Sequence, residues 1–361
     1  MVSETNGDYL CLHEFVKAAK AKLDPNIWDY LIGGTETETT VARNRLAIDT
    51  AALRPRVLND VSTVDTSVQF LRHKIALPVI LAPVGSLESF HPEGGIAVAQ
   101  GAGASNVPFM LSSVSQPGLE ETSAAATGPK IFQLYVRGDR AWSDAIAERA
   151  IAAGYDAFCI TVDTAHYSRR ERDIAKRFVK TWRAANTGMD HQAALSWRDI
   201  AHFKRKHRIP LILKGIGTAE DAAIACEHEV EMIYVSNHGG RQLDGGRGSL
   251  DVLPHVVEAV AGRAKIIVDG GFSRGTDLVK ALALGADYVG LGRLYLYALA
   301  VDGASGISRL LEILQDETTR ALGLCGVNGF GELTRAHVHR GAPMVNMPHV
   351  HSAFPLIAQG Y

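Results

Sequence analysis

The stretch AKIIVDGGFSRGTDLVKALALGADYVGLGR, residues 264–293, contains the pattern that decides the fold. The apolar run Ala264–Asp269 ends in a glycine-rich turn, and a segment with helical spacing follows. A second apolar run, Asp287–Leu291, then ends in glycine and arginine. Apolar runs without alternation, separated by helices, are typical of a parallel sheet that is buried on both faces. We therefore interpret this stretch as strand, helix and strand.

The same unit recurs along the chain from about residue 75. Apolar runs occur at Pro78–Ala82, Pro108–Leu111, Ile131–Val136, Ala157–Val162, Pro210–Lys214, Glu231–Ser236, Ala264–Asp269 and Asp287–Leu291. Segments with helical spacing separate them, among them Asp139–Ala153, Thr218–His228, Leu250–Gly262 and Gly275–Leu284. Repeated strand–helix units of this number predict an α/β fold, a closed (β/α)8 TIM barrel. An open doubly wound sheet would carry GxGxxG or GxxxxGK[ST], and neither motif occurs.

Two regions lie outside the repeats. Residues 1–74 show helical spacing in Leu12–Lys22, Pro25–Gly33 and Glu36–Leu46. They predict an N-terminal helical extension to a barrel of residues 75–361. A longer polar segment separates the fourth and fifth strands, and we expect it to form an extra loop over the barrel mouth, followed by a helix. Because no low-complexity linker interrupts the chain, we expect one domain overall.

The composition excludes several classes of protein. The 361 residues are 47% hydrophobic and 21% charged, with 37 basic against 39 acidic side chains. This balance predicts no nucleic-acid partner and no general attraction to an anionic membrane. No apolar run reaches the roughly 18–20 residues of a membrane span, and the segment MVSETNGDYLCLHEF lacks the pattern of a secretory signal. Scattered cysteines predict reduced thiols and a cytoplasmic location: Cys11, Cys159, Cys226 and Cys325.

Glycine and arginine cluster after the seventh and eighth strands, where TIM barrels often hold phosphate. The motifs are DGGFSRG, Asp269–Gly275, and GLGR, Gly290–Arg293. Glycine lets backbone N–H groups approach phosphate oxygens, and arginine supplies charge-assisted hydrogen bonds. Tight turns would also explain the glycines, but two such motifs at adjacent strand ends favour a phosphate site.

The sixth strand ends in SNHGGRQLDGG, Ser236–Gly246, which crowds a histidine and an arginine among glycines. Histidine supplies a base near neutral pH, and arginine offers a planar fork for a carboxylate. A purely structural histidine is the alternative, but the setting favours His238 and Arg241 as functional residues. Other strands also end in polar side chains, namely Gln133 and Tyr135, Thr161 and Asp163, and Lys214. Asp163 is placed to hold a protonated His238 by charge pairing.

These motifs together resemble one known family. The order LAP, LSS, FQLY, TVDT, LKG, SNHGGRQLDG, DGGFSRG and GLGR, within about residues 12–342, is similar to that of the FMN-dependent 2-hydroxy-acid oxidases and dehydrogenases. Glycolate oxidase, lactate oxidase, mandelate dehydrogenase and flavocytochrome b2 belong to this family. The resemblance implies FMN lying across the barrel mouth and oxidation of an (S)-2-hydroxy acid to the 2-oxo acid.

The resemblance also assigns roles by position. It implies that FMN is held by Pro83, Val84, Gly85, Ser112, Gln133, Thr161, Lys214, Ser236, Asp269, Gly270, Gly271, Phe272, Ser273, Gly292 and Arg293. For the substrate it implies a carboxylate bound by Arg241, Tyr30 and Arg170, a hydroxyl bound by Tyr135, the base His238, and Asp163 stabilising the imidazolium. Lys214 would lie beside the N1–O2 edge of the flavin, where positive charge stabilises the reduced form.

The chain departs from the family pattern near the implied substrate. Val114 stands where glycolate oxidases have tryptophan, and Pro83-Val84-Gly85 replaces the usual Pro-Thr-Ala. Both changes remove bulk, so we expect a substrate larger than glycolate, aromatic or branched, with a glycolate or lactate oxidase as the alternative. Ser273 stands where many relatives have arginine, which removes one expected phosphate contact and leaves Arg293 and Arg274.

Other functions and partners stay open. An FMN barrel with isomerase-type chemistry, or a catalytically silent flavin-binding protein, would not need both His238 and Arg241. The electron acceptor is O2 or a quinone or redox partner, and no haem-binding segment precedes the barrel to suggest a fused cytochrome. We assign no metal, although two HxH pairs occur at residues 337–339 and 349–351. By analogy with the family we expect a homo-oligomer, a tetramer.

Overall fold

The predicted closed barrel is present in the computed structural model, which describes residues 9–178, 189–341, 351–354 and 357. Its strands, β1 to β8, are Val79–Leu81, Phe109–Ser112, Lys130–Leu134, Ala157–Thr161, Leu211–Ile216, Met232–Val235, Lys265–Val268 and Tyr288–Leu291. Each strand pairs in parallel with the next one in sequence, and β8 pairs with β1 to close the sheet. The prediction of a (β/α)8 barrel is confirmed.

Buried apolar side chains fill the barrel interior. The cluster includes Ile80, Met110, Ile131, Cys159, Ile212, Met232, Tyr234, Ile267 and Tyr288. Two short antiparallel strands, Val68–Phe70 and His73–Ile75, lie at the N-terminal end of the barrel and add Phe70 and Ile75 to this cluster. The barrel is therefore a packed core, and its carboxyl end is where a site can form.

Three helices precede the barrel, as predicted: α1 (Leu12–Lys22), α2 (Pro25–Ile32) and α3 (Thr39–Asp49). The third was expected at Glu36–Leu46 and instead begins at Thr39. Glu38 adopts a left-handed conformation (φ 60°), and its side chain accepts a hydrogen bond from the Gly34 N–H at 3.0 Å, which ends the preceding turn. The extension is also not purely helical, because the strand Ala51–Leu53 pairs antiparallel with Val338–Arg340.

The remaining helices surround the strands and pack their apolar faces on the barrel. In chain order, α4 to α13 are Gly94–Ala104, Leu119–Ala125, Arg140–Ala152, Glu171–Ala175, Met189–Ala193, Trp197–Lys206, Ala219–Glu227, Ser249–Val260, Gly275–Ala283 and Arg293–Leu324. The backbone of α13 is non-helical at Asp302 and Gly303. Thr218 accepts a hydrogen bond from the Asp221 N–H at 3.2 Å and starts α10, as its sequence predicted.

The long segment after β4 forms the predicted extra loop. It carries α7 and α8 before α9, the helix that leads into β5. Arg172 forms an ion pair with Glu38, and Lys176 forms one with Asp29. These pairs join the loop to the N-terminal helices, so the two regions enclose the barrel mouth from one side.

Candidate active site

A cavity of about 1190 Å³ lies at the carboxyl ends of the strands. Most of the predicted site residues line it: Tyr30, Pro83, Val84, Gly85, Tyr135, Arg170, Lys214, His238, Arg241, Asp269, Gly270, Gly271, Phe272, Ser273, Gly292 and Arg293. Strand ends, the loop after β4 and helix α2 thus converge on one space. The remaining predicted residues do not line it directly: Ser112, Gln133, Thr161, Asp163 and Ser236.

Four of these polar residues are buried at the ends of neighbouring strands. Ser112, Gln133, Thr161 and Ser236 are each 3% exposed or less. Gln133 Nε2 donates to Thr161 Oγ1 at 2.8 Å, while Gln133 Oε1 accepts no hydrogen bond from the described residues. A buried polar atom left in this way costs free energy unless a ligand or water satisfies it. This strand end therefore offers a hydrogen-bond acceptor to a bound group.

Lys214 is the buried cation of the site. Its ammonium group donates to Ser236 Oγ at 3.2 Å, lies 3.6 Å from Asp269 Oδ2, and lies 5.2 Å from the centre of the Tyr234 ring. Asp269 Oδ1 accepts no hydrogen bond from the described residues. Lys214 is 3% exposed, and Asp269 supplies the negative charge that a buried ammonium group needs beside it.

His238 lies in a sharp turn after β6. His238, Gly239 and Gly240 all have positive φ, and a Cβ atom on Gly240 would lie 2.6 Å from the Val41 nitrogen. The turn points the imidazole toward Asp163, whose Oδ1 lies 3.1 Å from Nδ1, and toward Tyr135, whose hydroxyl lies 3.2 Å from Nε2. When Nδ1–H donates to Asp163, Nε2 is the acceptor and the Tyr135 hydroxyl donates to it.

Burial governs the protonation of His238, Asp163 and Tyr135. Burial lowers the pKa of His238 below its ordinary value, and the charge of Asp163 offsets part of that effect. Burial would raise the pKa of Asp163, but His238 and Lys214 together hold it below the usual range. Burial and the Asp163 charge raise the pKa of Tyr135. At neutral pH the imidazole is therefore an available base beside a carboxylate and a protonated phenol.

Arg241 and Arg170 bring positive charge to the same cavity. Arg241 donates through Nη1 to the carbonyl oxygens of Tyr30 and Gly33, each at 2.7 Å, and its guanidinium lies 4.7 Å from the centre of the Tyr30 ring. Arg170 lies 5.9 Å from that ring. Burial and the like charges of Arg170 and Arg293 lower the pKa of Arg241 to about 9. Within the described ranges neither Arg241 nor Arg170 forms an ion pair with a carboxylate, so the cavity attracts an anion.

The glycine-rich ends of β7 and β8 form the opposite end of the cavity. Gly270 and Gly271 have φ of 105° and 87°, a backbone that only glycine adopts without strain. Arg293 donates to the carbonyl oxygens of Leu31, Gly33 and Gly239. The expectation that Arg274 also serves this end is wrong. Arg274 starts α12 and its guanidinium turns to Glu317 of α13, at 2.6 Å.

Several cavity residues were not identified from the sequence. Among them are Val41, Asn44, Arg45, Leu296, Tyr297 and Phe354. Arg45 is 4% exposed, binds both carboxylate oxygens of Asp277, and donates to the Gly271 carbonyl oxygen. An arginine four residues before Asp49 in a helical pattern is typical of an exposed ion pair, so nothing nearby in the sequence indicates that Arg45 is buried. Phe354, which is 1% exposed, comes from the distant C-terminal segment.

The C-terminal segment of residues 351–354 packs beside this end of the cavity. Ser352 Oγ donates to Asp49 Oδ2 at 3.0 Å, and the Ala353 carbonyl oxygen accepts from Arg274 at 3.0 Å. The Phe354 ring packs edge-on against His13, with ring centres 5.5 Å apart. Three helices therefore hold this segment where its phenylalanine forms part of the cavity wall.

Metal and membrane features can be assessed over the same described ranges. These contain no group of three or more histidine, cysteine, aspartate or glutamate side chains arranged to hold a metal ion. His339 belongs to the strand that pairs with Ala51–Leu53, and His349 of the second HxH pair lies outside the described residues. No described helix is both long and apolar enough to cross a bilayer.

Comparison with known proteins identifies the family. A model of the FMN-dependent dehydrogenase family matches residues 19–340. Glycolate oxidase from Spinacia oleracea is 37% identical over 349 residues, 91% of this chain and 95% of that protein. L-lactate oxidase from a Nostoc species is 37% identical over 355 residues, 91% of this chain and 97% of that protein. A crystal structure of mandelate oxidase with (S)-2-phenylpropionate superposes with a TM-score of 0.87 at 36% identity, covering 93% of this chain and all of the other.

The resemblance drawn from the motifs is thus confirmed over nearly the whole chain. The family match spans both the N-terminal helices from residue 19 and the barrel, and the relatives are oxidases of one chemical class by name. The chain belongs to the FMN-dependent dehydrogenase family, as an oxidoreductase whose cofactor is FMN.

Proposed function

We propose that the protein oxidises an (S)-2-hydroxy acid to the corresponding 2-oxo acid. The observation that carries this proposal is a base and an anion-binding group in one cavity. The His238 imidazole lies between Asp163 and Tyr135, and the Arg241 guanidinium lies in the same cavity with no carboxylate partner among the described residues. Removing a proton from a substrate that carries a carboxylate requires this combination.

The residues present fit the flavin. Two buried acceptors, Gln133 Oε1 and Asp269 Oδ1, lack hydrogen-bond donors within the described structure, and FMN carries donors of the kind they need, an N–H on its ring system and hydroxyls on its ribityl chain. We propose that FMN is held by Pro83, Val84, Gly85, Ser112, Gln133, Thr161, Lys214, Ser236, Asp269, Gly270, Gly271, Phe272, Ser273, Gly292 and Arg293. When bound, FMN supplies the acceptor for two electrons from the substrate carbon.

The chain's own groups bind the substrate and move its proton. Arg241, with Tyr30 and Arg170, binds the carboxylate, and the Tyr135 hydroxyl donates to the substrate oxygen. His238 Nε2 takes one proton, and Asp163 stabilises the imidazolium that results. The C–H and O–H bonds of the substrate break and the C=O bond of the 2-oxo acid forms, with one hydrogen leaving as a proton to His238 and the other leaving with the two electrons that FMN would accept.

The side of the cavity near Gly85 and Val114 supports a substrate larger than glycolate. A Cβ atom on Gly85 would lie 2.8 Å from Val114 Cγ2, so Val114 packs directly against Gly85. These two residues carry less bulk than the alanine and tryptophan of the family pattern, and that difference in size supports a larger substrate. We propose an aromatic, branched or longer-chain acid, and the similarity to a mandelate oxidase supports that proposal. A glycolate or lactate oxidase is the alternative.

Four broader proposals accompany this one. We propose O2 or a quinone or redox partner as electron acceptor, and the oxidase relatives favour O2. We propose a homotetramer by analogy, which sedimentation would test. All four cysteines are free thiols, which supports a reducing compartment, the cytoplasm. The N-terminal helices and the barrel are proposed to form one functional domain, because residues of both line the cavity.

Anaerobic reduction of the bound flavin tests the proposal. The purified protein should be yellow and should bleach when mixed with glycolate, lactate, a longer aliphatic 2-hydroxy acid or mandelate. The His238→Gln variant should keep its flavin and lose reduction by substrate, because glutamine cannot act as a base near neutral pH. Failure of every acid to bleach the flavin, or reduction of His238→Gln at the wild-type rate, would contradict the proposal.

A further inference from the structure

A second, smaller cavity adjoins the first beneath the loop after β4. We call it the side cavity. Its described lining residues are Tyr135, Arg137, Thr164, Tyr167, Arg170, Met189, Gln192, His238 and Gln242. Three of them, Tyr135, Arg170 and His238, also line the main cavity. The side cavity therefore begins at the proposed reaction centre and extends away from it.

The side cavity is basic. Two arginines line it, and none of its described lining residues carries a carboxylate. Arg170 is 9% exposed, and its Nε has no hydrogen-bond partner in the described structure; the same holds for the buried Thr164 Oγ1. Donors buried without acceptors are unfavourable unless a bound group accepts from them. The chemistry that fits two guanidinium groups and a hydroxyl is an anion, and a carboxylate above all.

The polar walls of the side cavity are fixed by their neighbours. Gln192 bridges β3 and β4, since its Oε1 accepts from the Val136 N–H at 2.7 Å and its Nε2 donates to the Thr161 carbonyl oxygen at 2.9 Å. Gln242 donates to the Asp163 carbonyl oxygen at 2.9 Å. Arg137 Nη2 donates to the Tyr167 hydroxyl at 3.1 Å. Arg137 and Tyr167, which lie in the segments after β3 and β4, thus face the space as one hydrogen-bonded pair.

We propose that the side cavity binds an acid group at the far end of the substrate side chain. The preferred substrate is then a 2-hydroxy acid with a second carboxylate, and Arg137 determines that specificity. This rests on the proposed function, because the cavity reaches the reaction centre through Tyr135 and His238. The small residues Gly85 and Val114 accommodate a bulkier substrate side chain. The side cavity offers the Arg137 guanidinium to the acid group at the end of that side chain.

Matched substrates test this directly. The pair is (S)-2-hydroxyglutarate and (S)-2-hydroxypentanoate, whose far end is neutral, and the quantity compared is the rate constant of anaerobic flavin reduction divided by the substrate dissociation constant. We expect the wild type to prefer the diacid by at least about tenfold, and Arg137→Leu to lower the diacid-to-monoacid ratio by about thirtyfold, the range of a charge-assisted hydrogen-bonded pair. Arg137→Lys should restore part of the ratio, because lysine keeps the positive charge but cannot form the two parallel hydrogen bonds of a guanidinium group.

Arg140→Leu is the matched control. Arg140 starts α6, is half exposed, and pairs with Asp199 outside the side cavity. The diacid-to-monoacid ratio of the Arg140→Leu variant should equal that of the wild type. Flavin content and thermal unfolding of each variant show that it is folded and loaded.

The remaining outcomes distinguish failure of this proposal from failure of the proposed function. Equal use of the two acids by the wild type, or an equal loss on both in Arg137→Leu, overturns the proposal and leaves the proposed function standing. If added acetate changes the monoacid rate in the wild type and not in Arg137→Leu, the cavity binds a separate anion and the proposal is also wrong. If no 2-hydroxy acid reduces the flavin, the proposed function fails and this inference fails with it.

Discussion

Replacing Asp163 by asparagine tests the proposed base most sharply. The carboxylate oxygens lie 3.1 and 3.3 Å from His238 Nδ1, and both side chains are 14% exposed. Asparagine keeps the size and a hydrogen-bond acceptor but removes the negative charge. The change therefore isolates the electrostatic stabilisation of the imidazolium that forms when His238 takes the proton.

The separation sets the expected magnitude. At 3.1 Å and an effective dielectric constant of about 20, two unit charges interact by about 5 kcal/mol. Since about 1.4 kcal/mol corresponds to a factor of ten in rate, loss of most of this energy slows flavin reduction by about 10³- to 10⁴-fold. The pH profile should move as well. Burial already lowers the pKa of His238, and Asp163 raises it, so removing Asp163 lowers it further.

Anaerobic stopped-flow reduction by a saturating 2-hydroxy acid measures both effects. A base must be neutral to accept a proton, so the wild-type rate falls as the pH drops through the lowered pKa of His238, and this acid limb should lie at lower pH in Asp163→Asn. The matched control is Asp144→Asn, which removes a carboxylate 2.9 Å from His202 and His207 outside the main cavity. A rate within tenfold of wild type, or an acid limb that moves to higher pH, would refute the reasoning.

Three further changes test the cavity walls. Gly85→Ala places a methyl group about 2.8 Å from Val114. It should lower the ratio of kcat/KM for mandelate to kcat/KM for glycolate at least about tenfold, as measured by initial rates. An unchanged ratio would argue against the large-substrate proposal. Arg45→Leu leaves Asp277 buried without its partner and should lower the free energy of unfolding of the apoprotein, measured with denaturant, by about 3–5 kcal/mol. A decrease below about 1 kcal/mol would mean that the pair does not stabilise the fold. Phe354→Ala opens the cavity wall and should raise the FMN dissociation constant about tenfold, equivalent to about 1.4 kcal/mol, as titrated by flavin fluorescence; tight binding equal to wild type would show that the segment does not retain the cofactor.

The barrel could be predicted because its strands carry a signal in every repeat. The run Ala157–Val162 is apolar without alternation, and all five residues of the strand that it forms, Ala157–Thr161, are buried. Their polar ends were identifiable for the same reason, since Lys214 interrupts an otherwise aliphatic strand. The three-residue strand Ala51–Leu53 was missed because so short a segment has no measurable period, and its partner strand lies near residue 340.

Side-chain direction limited the prediction of the site. Arg274 and Arg293 follow the same kind of glycine-rich strand end, yet Arg293 lines the cavity and Arg274 turns to Glu317. The difference arises where each helix begins, which the spacing of glycines does not specify. Arg45 was missed because its partner Asp277 is distant in sequence, and a pair of this kind is visible only in three dimensions.

The wall that Phe354 contributes has a consequence for the order of events during synthesis. The cavity draws on Tyr30 of α2 as well as on Arg293 and Phe354, so its two ends are translated far apart in time. In a nascent chain that does not yet include Phe354, one wall of the cavity is missing. The cavity is therefore complete around the cofactor only once Tyr30, Arg293 and Phe354 have all been synthesised and packed.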